Sequence, residues 1–159
     1  MPDSIDELAK RRRAESVNRV AMEMKRYHRG DLEKVQHFVR VYTLAKSIGE
    51  LEKLTEEEQL DLELAALTHS VEGDKVKEVK AILLDCGLND AIAMRVCHMV
   101  ENAHNYDHIA TLDHQILLEA MMIVEFKEKN TPEDEIVRFA EERFITNTGK
   151  LFLSRAFKL

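Results

Sequence analysis

The chain has 159 residues, 45% of them hydrophobic and 33% charged, and a net charge of −7. That length suits one domain, the apolar fraction excludes a disordered chain, and only five Gly and two Pro argue against a turn-rich β-sandwich. Thirty acidic residues against 23 basic ones weigh against a basic nucleic-acid-binding face, and the one dense basic run, Lys10 to Arg13, has acidic flanks and reads as a solvated face.

Helix signals run from end to end, which predicts an all-α, single-domain helical bundle. Asp3 or Ser4 caps a first helix that runs to about His28 and is stopped by Gly30. Its apolar residues Ile5, Leu8, Val17, Val20, Ala21 and Met24 only partly follow helical spacing, so residues 1–30 read as an arm on a domain of residues 31–159. Asp31 caps a second helix with a buried stripe of Val35, Phe38, Val39, Tyr42, Ala45 and Ile48. Thr55 to Glu58 forms a capping box, because the threonine hydroxyl and the third carboxylate each satisfy an orphan amide. The third helix then runs to about His69, burying Leu60, Leu64 and Leu67, until Gly73 breaks the chain.

A fourth helix spans about Asp74 to Asp85, with Gly87 as its left-handed cap. Asn89 caps a fifth, which buries Ile92, Val96 and Met99 or Val100. The polar stretch from Asn102 to Thr111 turns into a sixth helix, about Leu112 to Lys129. Pro132 is placed at the first position of a seventh, and Asn147 or Thr148 begins a short eighth.

Cys86 and Cys97 lack the spacing of a redox or metal pair and read as reduced, buried, small apolar residues. No charged start leads into an apolar leader, and the longest apolar stretch, Ile116 to Val124, carries Glu119 and falls far short of the roughly 20 residues a span needs. The expectation is a cytoplasmic protein with neither membrane nor nucleic-acid partners.

The informative feature is the order of the histidines: His37 in Q-H-F-V-R-V, His69 in A-A-L-T-H, His98 in V-C-H-M-V, then His104, then the apolar L-D-H-Q-I-L-L-E-A. From about Asp31 onward these segments resemble the HD-domain superfamily, which includes many metal-dependent phosphohydrolases, and look closest to a group of small stand-alone bacterial HD proteins. The resemblance implies a helical bundle with a divalent metal (Mn, Fe, Ni or Mg) at its centre. An early histidine, an adjacent His-Asp pair and a late Asp hold that metal, with further histidines between them. Carried over, the early histidine is His37 and the histidine of the pair is His69. The Asp of the pair falls on Ser70 and the late Asp on Met121. The intermediate histidines fall on Asn102, Ala103 and His104, so one of them survives. The loop after the pair is shortened to Ser70-Val71-Glu72-Gly73-Asp74.

A hard dication needs anionic oxygen ligands to offset its charge. Ser70 offers a neutral hydroxyl and Met121 a thioether. Candidate replacement acids are Glu72 and Asp74 in the short loop, and Glu125, one turn after Met121 on the same face. Glu119 lies about 200° round the helix from Met121 and points elsewhere. His104 and His108 flank a helix exit and read as solvent-exposed, and His98 and His114 as packing or surface residues. The expectation is an HD-type domain with a decayed metal site, no bound cofactor and a binding or structural role. Its rival is an active metal-dependent phosphohydrolase acting on a nucleotide or phosphate ester. Candidate partners are a small phosphorylated ligand and, through the first helix, a second copy of the chain.

Overall fold

The structure is a computed structural model and describes residues 4–159; Asp3, one of the two expected first caps, lies outside them. The described residues form eight α-helices and no strand: α1 (Ile5–Tyr27), α2 (Leu32–Leu51), α3 (Glu56–Thr68), α4 (Lys75–Asp85), α5 (Asp90–Glu101), α6 (Leu112–Glu128), α7 (Glu133–Arg143) and α8 (Asn147–Phe157). A 3-10 turn, Tyr106–His108, interrupts the polar connection before α6. No helix among the described residues is long and apolar enough to cross a membrane.

The caps follow from short polar side chains that accept orphan amides at helix starts. Ser4 and Thr55 each complete a capping box, with Glu7 and Glu58, and Asp31, Asp74, Asn89 and Thr146 each cap the helix that follows. Gly87 takes φ +88 after α4, a conformation that costs glycine nothing. Pro132 is the N-cap of α7 rather than its first helical residue; its ψ of 145 is extended, and the helix begins at Glu133.

α3 lies at the centre, against α1, α2, α5 and α6. It buries Leu62, Leu64 and Leu67 but also Gln59, Asp61 and Glu63, each of which has a partner. α6 is apolar nearly all round and correspondingly buried from Asp113 to Val124. Full burial of large side chains such as Phe38, Leu67, Ile116 and Met121 contributes roughly 1.5–3 kcal/mol apiece.

Val39 and the start of α1 depart from the expected burial, and Val35, Tyr42, Leu60 and Ile92 are half-buried rather than buried. Val39 is 37% exposed, because α2 is covered by α3 and α6 and Val39 falls beside their contact rather than in it. In α1 the burial starts only at Val17; Ile5 and Leu8 are exposed, while Val17, Val20 and Met24 pack into the main core. Arg13 anchors the helix, reaching Glu56 at 3.1 Å and Glu63 at 3.6 Å. One member of the basic run is therefore spent on docking α1.

A second apolar cluster, with Phe126, Ile136, Phe144 and Leu153, seats α7 and α8. Glu119 links them to α6. Fully buried, its carboxylate accepts from Thr146 Oγ1 at 2.6 Å, Gln115 Nε2 at 2.7 Å, Ile145 N at 3.0 Å and Thr146 N at 3.2 Å. Gly149 leaves the space this carboxylate occupies.

Candidate functional site

α2 runs antiparallel to α3 and α6, so its start meets their ends, and the side chains of interest converge there. His37 sits in the second turn of α2 and His69 is the buried C-cap of α3. Their Nε2 atoms are 3.0 Å apart. His69 Nδ1 lies 2.6 Å from the carbonyl of Ala66. A carbonyl only accepts, so Nδ1 carries the proton and His69 Nε2 presents a lone pair. His37 Nε2 therefore donates to it. His37 Nδ1 lies 2.9 and 3.1 Å from the two oxygens of Glu128. His37 thus sits between two acceptors, the His69 ring and the Glu128 carboxylate. Arg40, one turn along α2, pairs with the same carboxylate at 3.6 Å.

Burial pushes the His69 imidazole down to about 3, helped by His37 and Lys75 and opposed by the Ala66 carbonyl and Glu125. His69 is thus neutral at ordinary pH. Lys75, the first residue of α4, donates from Nζ to the His69 carbonyl at 2.9 Å. That bond serves the open end of α3, and burial lowers the pKa of this lysine. The short loop makes it feasible, since only five residues separate His69 from Lys75.

The expected ligand positions are occupied otherwise. Ser70 Oγ is hydrogen-bonded to Nε2 of buried His28 at 3.2 Å. Burial, and secondarily Lys34, lowers the pKa of that histidine against the pull of Asp31. Met121 is fully buried in the main apolar core. Asn102 is the C-cap of α5, and its carbonyl accepts from His114 Nε2 at 3.1 Å; Ala103 is buried beside it. His114 is buried, whereas His98 and His108 are exposed.

Of the candidate replacement acids, Glu72 pairs with Lys34, and Asp74 caps α4 by accepting from Lys77 N. Glu125 comes nearest the pair. It acts electrostatically on both His37 and His69, and its Oε1 accepts from exposed His104 at 3.0 Å. Burial alone would raise its pKa, but His104, Lys129 and His37 outweigh burial and hold it below the usual range.

Among the described residues, no group of three or more His, Cys, Asp or Glu is placed to hold a metal ion. The donor set does not fit the dication that the resemblance implies. Two imidazoles share a proton between the nitrogens that would bind it, and they supply no negative charge. A cavity of about 570 Å³ opens beside His37, bordered by Asp31, Glu33, Lys34, Arg40 and Glu128. Three acids to two bases is a mixed lining, unlike the basic cradle on which phosphate recognition relies.

Sequence reasoning singled out His37, His69, Ser70 and Met121, but missed Glu128, His28 and Lys75. Glu128 had a readable signal: with Met121 and Glu125 it forms one stripe along α6 at the spacing of helix neighbours. Set against known proteins, the chain matches no family model, no curated protein and no solved structure.

Proposed function

We propose that this chain is an HD-type helical domain whose metal centre has decayed, with little or no hydrolase activity and a binding or structural role. The reading rests on what occupies the two carboxylate positions of the expected site: a serine hydrogen-bonded to His28 and a methionine sealed in the core. Hydrolysis of this class depends on a metal that acidifies water and draws charge from phosphoryl oxygens. With these residues the charge needed to hold that metal is missing, and a His-His-Glu hydrogen-bond chain supports the bundle instead.

One observation favours the rival, an active phosphohydrolase. Two ligands at right angles around an octahedral ion with bonds of about 2.1 Å lie about 3.0 Å apart, which matches the His37–His69 separation of 3.0 Å. Both outer nitrogens also meet oxygens of the kind that orient ligating histidines, a carbonyl and a carboxylate. In that reading Glu125 supplies the acid. Hydrolysis assays with nucleotides, phosphomonoesters and phosphodiesters, run with added Mn(II) or Ni(II), separate the two. The proposal expects rates indistinguishable from those of His37→Ala. Turnover that needs both the metal and His37 would overturn it.

A further inference from the structure

Beyond Arg40 and Glu128 from His37, α2, α6 and α8 enclose a groove of about 620 Å³. Sites for small organic ligands span about 300–1,000 Å³ and combine an apolar lining with a few polar groups. Here the lining is Val39, Leu44, Ile123 and Val124, with Ala156 at the side. The exposure of Val39, on a stripe whose Phe38, Ala45 and Ile48 are fully buried, is exposure into this groove.

The rim holds three charged residues: Arg40, Lys127 and Glu128. Glu128 is engaged by His37 and Arg40. The Lys127 ammonium has no hydrogen-bond or ion-pair partner among the described residues. Two cations and one carboxylate leave a single unbalanced positive charge beside an apolar trough, on a chain whose net charge is −7.

We propose that the α2–α6–α8 groove binds an amphipathic monoanion, a carboxylate with an aliphatic body. The carboxylate meets Lys127 and Arg40, and the chain lies along Val39, Leu44, Ile123 and Val124. One unbalanced charge suits a monoanion; Glu128 at the rim opposes the second charge of a phosphate dianion. Arg40 and Glu128 also border the cavity at His37, so occupancy is felt at the His37–Glu128 bond. The inference goes beyond the reading above and holds whether or not the His37–His69 centre hydrolyses anything.

The probe is decanoate, titrated below its micelle concentration into the whole protein and followed by calorimetry and methyl NMR. The expected result is saturable 1:1 binding, with shifts centred on Val39, Leu44, Ile123 and Val124. Each methylene removed should weaken binding about twofold, half-burial of a group whose full burial is worth about fourfold. Lys127→Glu should weaken decanoate by about tenfold, the scale of one lost charge-assisted contact, while Lys80→Glu on α4 leaves it unchanged. Decanol and decyltrimethylammonium should bind more weakly than decanoate, and so should decyl phosphate in its dianionic form. The proposal is overturned by absence of saturable binding, by tighter binding of decanol, the cation or the phosphate, by shifts centred elsewhere, or by an unaltered affinity in Lys127→Glu.

Discussion

Acidification should destabilise this protein through His69 by a calculable amount. In the unfolded chain its imidazole titrates near the ordinary value of about 6.5. In the fold burial pushes it down to about 3. Above about pH 6.5 both states are neutral and the native packing of His69 is fully in force. Below that, the unfolded state takes a proton that the native state refuses, and stability falls by about 1.4 kcal/mol per pH unit until about pH 3. From about pH 6.5 to about pH 4.5 the loss is about 3 kcal/mol from this one side chain. Urea denaturation of the wild type and of His69→Gln at pH values across that window isolates it. Asp61 and Glu63, whose carboxyls burial pushes up, act in the opposite sense but equally in both proteins. The gap in stability between the two proteins should narrow by about 3 kcal/mol on acidification, with or without chelator. Parallel loss in both proteins would refute a neutral, buried His69.

Three further outcomes follow from the same contacts. Glu119→Ala removes the acceptor from two amides and a hydroxyl and leaves Gln115 Nε2 with the Arg143 carbonyl alone, and should cost about 3–5 kcal/mol, whereas Glu119→Gln, which keeps one acceptor oxygen, should cost about 1–2 kcal/mol in chemical denaturation. Gly149→Ala drives a Cβ into Glu119 Oε1 and Thr146 Oγ1 and should lower stability by about 3 kcal/mol; an unchanged melting temperature would contradict the close approach of α8 to α6. Ser70→Asp with Met121→Asp should melt well below wild type without metal and regain about 3 kcal/mol with Mn(II) or Ni(II) at about a hundred times the dissociation constant. A folded double variant indifferent to metal would mean that these positions do not face a common centre.

The helices were largely legible because their signals are local. Thr55 with Glu58, Asn89 and Gly87 each act within four residues, and the structure places each where its chemistry predicts. Val39 was misplaced because a period-based stripe is wider than the surface α3 and α6 cover. The site was half legible. Helix periodicity and motif order bring out His37 and His69, yet what each nitrogen meets depends on chain ends far apart in sequence. Glu128 is 91 residues from His37, and His28 is 42 residues from Ser70. Lys75 reaches His69 only through the shortened loop, a matter of three-dimensional path rather than pattern. Glu119 was read correctly as pointing away from the centre, but its partners in the α7–α8 connection carry no sequence signal that foretells them.

The most direct test of the central claim is elemental mass spectrometry of the wild-type protein purified without chelator, beside His37→Ala. The account predicts that Mn, Fe, Ni, Zn and Mg are each far below one ion per chain and the same in both proteins. Close to one ion per chain in the wild type, lost in His37→Ala, would contradict it.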